Sequence, residues 1–91
     1  MFSFPFFSVR VLKLPEGEVG PRIAFVVSKK IAKLAVLRNR TDRRGFTASS
    51  HLFSQFSKQH AFAFFCKKGA PDLTVVRWEE EIKNFLKTCR L

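Results

Sequence analysis

The chain contains no tyrosine, one tryptophan, one methionine and two cysteines. Two thiols are too few for a disulfide framework, and no third or fourth ligand stands near either one to complete a zinc site. Cys66 and Cys89 therefore read as small buried hydrophobes, one on a strand and one on the last helix. A disulfide between them is not expected in a reducing compartment. Long apolar runs are also missing. No segment approaches the ~20 apolar residues of a membrane span. The start, Met1 to Phe7, is apolar but brief, lacks a basic leading region and is followed at once by Arg10, so it does not read as a signal peptide. A cytoplasmic protein is expected.

Catalytic groupings are equally scarce. No Ser, Cys or carboxylate stands beside a base with a third group to orient it. His60 and Cys66 would share one face of a strand, but a pair without an orienting partner is a weak nucleophile. His51 and His60 read as surface or packing residues. Glu79, Glu80 and Glu81 are consecutive, so on a helix they point in different directions, a poor metal site and a plausible solvated turn. No metal or cofactor is expected to be held by the protein itself.

What is abundant is phenylalanine, 12 residues, and positive charge, 17 Lys and Arg against 7 Asp and Glu for a formal net charge of +10 in 91 residues. A chain of this length makes one domain, taken here as residues 1–91, with a marginal core in which each large side chain counts. The phenylalanines and Trp78 supply that core. The charge favours a nucleic-acid partner first and an anionic membrane surface second.

Phe6 to Leu14 alternates around Arg10 and Lys13 and predicts a strand. Pro15 to Pro21 is punctuated like a hairpin loop. The apolar run Ile23-Ala24-Phe25-Val26-Val27 predicts a strand covered on both faces or near the sheet centre. A helix fits Leu34 to Ser57. At 100° per residue, Leu34, Thr41, Gly45, Phe46, Ser49, Leu52, Phe53 and Phe56 share one face, and Lys33, Arg40, Arg43, Arg44, His51 and Lys58 share the opposite one. Asp42 can pair with Arg38 one turn back, and Gly45 weakens the helix by about 1 kcal/mol against alanine. Ala61 to Lys67 predicts another strand, Lys68 to Asp72 a loop, and Thr74 onward a last helix. In that helix Trp78, Ile82, Phe85, Leu86 and Cys89 form an apolar stripe, with acids early and bases late as the helix dipole prefers. The order strand, strand, helix, strand, helix predicts an α+β two-layer sandwich, a small mixed sheet with two helices on one face. A parallel strand–helix–strand unit would ordinarily cross over right-handed.

The most informative stretch is Val27-Ser28-Lys29-Lys30, a short gap, then Arg38-Asn39-Arg40 and Arg43-Arg44 on one helix. Cations this dense on a rigid element form a site for a polyanion. Arginine forks match phosphate oxygens bidentately and also stack on bases. The candidate polyanion-binding residues, RNA-binding by the resemblance given next, are Lys29, Lys30, Lys33, Arg38, Asn39, Arg40, Arg43 and Arg44. Asn39 would either hydrogen-bond a base or ribose hydroxyl or brace the neighbouring loop.

This pattern resembles the signature of the protein subunit of bacterial ribonuclease P. The downstream Ala61–Cys66 strand, the Lys67-Lys68-Gly69-Ala70 turn and the terminal amphipathic helix agree with that family in type and order. The resemblance runs from about Arg22 to the C-terminus. It implies a ribonuclease P protein-like fold, shared with a domain of a small-subunit ribosomal protein, with an unusual left-handed strand–helix–strand crossover. It implies a non-catalytic partner of the ribonuclease P RNA that helps it remove the 5′ leader of precursor tRNA, with Mg²⁺ held by the RNA. A monomer outside the ribonucleoprotein is expected. Family members usually begin with a further helix and strand carrying a Phe-x-x-Val pattern that helps form a cleft for the single-stranded leader. Nothing before Phe6 resembles them, so the chain reads as an N-terminally short member. Thr41, Asp42 and Gly45 stand where the family is commonly apolar, basic and apolar. The rival readings are another structured-RNA-binding, ribosome-associated protein, and a protein-interaction domain or small enzyme that is basic only incidentally. A membrane-surface role would need an exposed apolar helix face.

Overall fold

The computed structural model describes residues 1–89. In chain order the elements are β1 (Phe2–Ser3), β2 (Phe7–Lys13), β3 (Arg22–Val26), α1 (Ala35–His51), β4 (His60–Cys66) and α2 (Val75–Cys89), with single 3-10 turns at Phe53–Gln55 and Ala70–Asp72. The sheet order is β1-β2-β4-β3. β1 and β4 both pair antiparallel with β2, while β3 and β4 run parallel. The expected α+β architecture is therefore present, a small mixed sheet with two helices.

The topology corrects two expectations. Residues 15–21 do not close a hairpin, because β4 lies between β2 and β3. β3 is an edge strand with one face open, not a covered central one: Arg22, Ala24 and Val26 are exposed, and Ile23 and Phe25 are half-buried. The central place goes to β4, whose Phe62, Phe64 and Cys66 are buried. Two phenylalanine rings and a thiol cannot be covered at an edge as fully as a neighbour on each side allows.

Register sorts the side chains by face. Phe2–Val9–Phe64–Phe25 form one row across the sheet, and Val11–Phe62–Ile23 form the next. These rows point to the helices. Trp78, Ile82 and Phe85 of α2 are completely buried against them. The rings interlock: Phe7 stacks on Trp78 at 5.6 Å between centroids, Phe25 stacks on Phe64 at 4.9 Å, and Phe85 meets Phe62 and Phe64 edge-on. Each fully buried ring of this kind is worth roughly 1.5–3 kcal/mol. The N-terminal residues join this core. Phe2 and Phe4 each present an edge-to-face contact to Phe85, at 5.6 and 5.8 Å. Lys67 Nζ ties the segment down by donating to Ser3 Oγ (2.7 Å) and the Phe4 carbonyl (2.8 Å).

α1 is shorter than the predicted Leu34–Ser57. It ends at His51, and Leu52 leaves helical geometry at φ −111° and ψ 13°. Thr41, Gly45, Ala48 and Ser49 form its buried face. Phe46 and Phe53, expected on that face, are 56% and 48% exposed. They lie on its flank, towards the free edge of β3, where nothing covers them. Buried Thr41 satisfies its hydroxyl by donating to the Leu37 carbonyl at 2.8 Å, so a polar residue occupies a core position without an orphaned donor. α2 starts where predicted. Thr74 Oγ1 accepts from the Arg77 N–H at 3.2 Å, an N-cap. Glu81 of the triple-Glu run is not solvated but buried, with Arg77 at 3.5 Å, while Glu79 faces His51 at 3.3 Å. No helix among the described residues is long and apolar enough to cross a membrane.

Candidate nucleic-acid interface

β3 hands the chain to α1 through a tight turn in which the Ile31 and Ala32 N–H groups both donate to the Ser28 carbonyl, at 3.1 and 3.0 Å. Ala32 is buried and anchors the turn, and Lys29, Lys30 and Lys33 are left exposed around it. α1 then begins at Ala35, with Leu34 at the N-cap position making no side-chain cap and no acidic residue in the first turn. Its N-terminal dipole is therefore unneutralised, a setting that favours an anion.

The arginines divide by task. Arg38 Nη1 donates to the carbonyls of Ala32 (3.0 Å) and Lys33 (2.9 Å), bracing the crossover turn against the first helical turn. It does this in place of the expected pairing with Asp42. The bracing role that was open for Asn39 is thus filled by Arg38, and Asn39 is exposed. Arg40 and Arg44 are half-buried and turn towards the segment before α2. Arg40 Nη2 donates to the Pro71 carbonyl at 3.3 Å, and Arg44 Nη1 donates to that of Leu73 at 3.2 Å. They are less an outward ridge than clamps between α1 and the start of α2. Arg43 is exposed and donates to no acceptor found among the described residues.

Two shallow cavities open on this surface. Arg40, Arg43, Arg44, Thr47 and Val75 line one of about 290 Å³. Arg38, Asn39 and Asp42 line another of about 220 Å³ with Phe25 and Val27. The eight candidate residues thus occupy the crossover turn and α1: Arg38, Asn39, Arg40, Arg43 and Arg44 group around two separate hollows, and Lys29, Lys30 and Lys33 stand on the turn outside them. Asp42 is exposed in the second hollow and supplies a carboxylate there.

A second surface was not anticipated. The sheet face away from the helices is uncovered. Its rows are Ser8–Phe65–Val26, Arg10–Ala63–Ala24 and Leu12–Ala61–Arg22. Phe65 is 37% exposed and Leu12 55%. Alanines make a low floor between them, and Arg10 and Arg22 stand on either side. The alternation in β2 and β3 carried this signal, but it becomes a surface only when β4 is placed between them.

The one strongly perturbed thiol is Cys66. Burial, with a smaller contribution from the Asp42 charge, pushes it up from 9.0 to about 12. It and Cys89 are both free, and a thiol held neutral is a packing group.

A family model described as Ribonuclease P matches residues 2–90. The match reaches further towards the N-terminus than the motif-bearing part of the sequence, consistent with β1 and the Phe2–Phe4 contacts being part of the domain. No curated protein matches the sequence. Among solved structures, the RNase P protein of Staphylococcus aureus superposes with a TM-score of 0.78 at 22% identity, over 96% of this chain and 77% of that one. The RNase P protein from Thermotoga maritima superposes with a TM-score of 0.81 at 20% identity, over 96% and 80%.

Proposed function

Because the chain belongs to the ribonuclease P protein family, we propose that it is the protein partner of a ribonuclease P RNA, binding that RNA and assisting it in removing the 5′ leader from precursor tRNA. The family match over residues 2–90 carries this reading, and the geometry supports it. Mg²⁺ bound by the RNA would supply the hydrolytic chemistry. The chain's own residues bind and orient. Lys29, Lys30 and Lys33, exposed around the uncapped N-terminal end of α1, and Arg43, exposed in its third turn, would neutralise RNA phosphates. Asn39 would meet a base edge or a ribose hydroxyl. Arg38, Arg40 and Arg44 would hold this surface in shape through their carbonyl bonds. The precursor's single-stranded leader would lie on the open sheet face, its bases over Phe65 and its phosphates towards Arg10 and Arg22, the combination of stacking platform and cationic margin that single strands use. We place the protein in the cytoplasm, one copy per RNA.

The test is reconstitution with the cognate ribonuclease P RNA, following precursor-tRNA cleavage at low Mg²⁺. Wild type should stimulate cleavage, and Lys30→Ala/Arg43→Ala, which removes two exposed cations, should lose most of the stimulation. A folded protein that binds RNA yet gives no stimulation would assign it to another structured RNA.

A further inference from the structure

Phe46 and Phe53 are the exposed aromatics of α1 and its C-terminal turn, at 56% and 48%. Among the described residues they take part in none of the aromatic pairs that fill the core. Phe46 lies on α1 and Phe53 in the 3-10 turn that follows it, and the turn brings both rings, with Ser50, to one hollow. Together with Pro21, Ile23, Ser49 and Ser50 they line an apolar hollow of about 380 Å³ beside the free edge of β3. Two bulky rings held open to solvent around a cavity mark an interaction site.

The composition of the surroundings indicates the occupant. Ser49 and Ser50 both donate their hydroxyl hydrogens to the Phe46 carbonyl, each at 2.9 Å. Ser49 is buried, and Ser50, which is exposed, can therefore only accept from a ligand. Arg43, one helical turn before Phe46 and about 5 Å along the axis, is exposed and unengaged. Arg22 flanks Pro21 and Ile23, while its Nη2 contacts Glu18 at 2.9 Å. An apolar slot with aromatic walls, one exposed hydroxyl acceptor and a free guanidinium one turn away is complementary to one nucleotide: ring, amine edge and phosphate in that order. An apolar peptide side chain would use the walls but not the guanidinium or the acceptor.

We propose that the Phe46–Phe53 hollow is a pocket for an unpaired nucleobase of RNA, with Arg43 on the adjoining phosphate. The inference rests on the RNA-binding reading above and adds to its surface: Arg43 is shared with it, while Phe46 and Phe53 belong to neither the crossover turn nor the open sheet face. The pocket favours bases with an exocyclic amine, adenine or cytosine, because the exposed Ser50 hydroxyl presents an acceptor.

The test is fluorescence anisotropy with labelled single-stranded oligoadenylate and oligouridylate of about a dozen nucleotides, within the usual range of single-strand site sizes, across a salt series. Phe46→Ala/Phe53→Ala should weaken oligoadenylate binding about tenfold or more and leave the salt slope unchanged, since no ion pair is lost. Arg43→Ala should lower the slope by about one. Phe46→Leu keeps an apolar side chain, and circular dichroism verifies its fold. It should lose most of the same affinity, and Phe46→Trp should retain it. Wild-type affinity in a folded Phe46→Leu and in the double variant would overturn the pocket while leaving RNA binding intact. Absence of any salt-dependent binding by wild type would overturn both readings.

Discussion

A Cβ added at Gly45 would lie 2.6 Å from Cε1 of Phe25, whose ring is itself stacked on Phe64. The sequence reading treats this glycine as a helix weakness, but here α1 packs its backbone directly against the Phe25 ring of the sheet. Gly45→Ala gains about 1 kcal/mol of helix propensity and forces a contact costing typically 1–3 kcal/mol. The expected outcome is a net loss of about 1 kcal/mol in urea unfolding. Cys66 sets the alkaline limit. Its thiol titrates near 12 in the folded chain and near 9.0 in the ordinary environment. The unfolded chain therefore releases this proton first. The contribution is fully present below pH 9 and is lost between pH 9 and 12, at up to ~1.4 kcal/mol per pH unit. Cys66→Ala should flatten that stretch of the stability–pH curve, at the cost of a small cavity that lowers stability at every pH. The residue types at these positions were legible; their roles were not, since close approach and burial depend on which strand lies beneath the helix.

At the scale of elements, α1 and α2 are joined by side chains that were expected to face solvent. Arg40 and Arg44 reach the carbonyls of Pro71 and Leu73 just before α2 begins. Arg40→Ala/Arg44→Ala should therefore lower stability by about 1–2 kcal/mol, whereas exposed Arg43→Ala should change it by less than about 0.5 kcal/mol. Thermal or urea unfolding separates the two, and any loss of RNA binding in the double variant has to be read after that correction. Thr74→Ala, removing the α2 cap, should cost about 1 kcal/mol. Periodicity located both helices and, within a residue or so, β2 and β4. It misplaced the end of α1, because Leu52, Phe53 and Phe56 continue the apolar pattern through a 3-10 turn that a helical wheel cannot distinguish from helix. It also put Phe46 and Phe53 on the covered side, because the pattern marks apolar residues and does not tell whether a neighbour reaches them.

For the molecule as a whole, a net charge of +10 with cations around α1 and on the open sheet face predicts RNA affinity that falls steeply with salt. Titration between about 50 and 200 mM salt should show losses of a hundredfold or more if some five phosphates are engaged. The fold class was legible from the order of elements. Strand order was not, since Pro15 to Pro21 has hairpin composition whether or not a strand inserts between its flanks. That insertion governs how the protein comes into being. During synthesis β2 and β3 emerge early, with Phe7, Val9, Ile23 and Phe25 already in the chain, yet they have no bonds to offer each other. Both wait for β4, the middle of the sheet, which is complete only at Cys66. Until the ribosome has released that strand, the nascent chain carries two apolar strands without a template. A stalled chain ending before His60 should be degraded or captured by chaperones, and one extended through α2 should resist protease. The last-made part of the sheet is the part on which the rest is assembled.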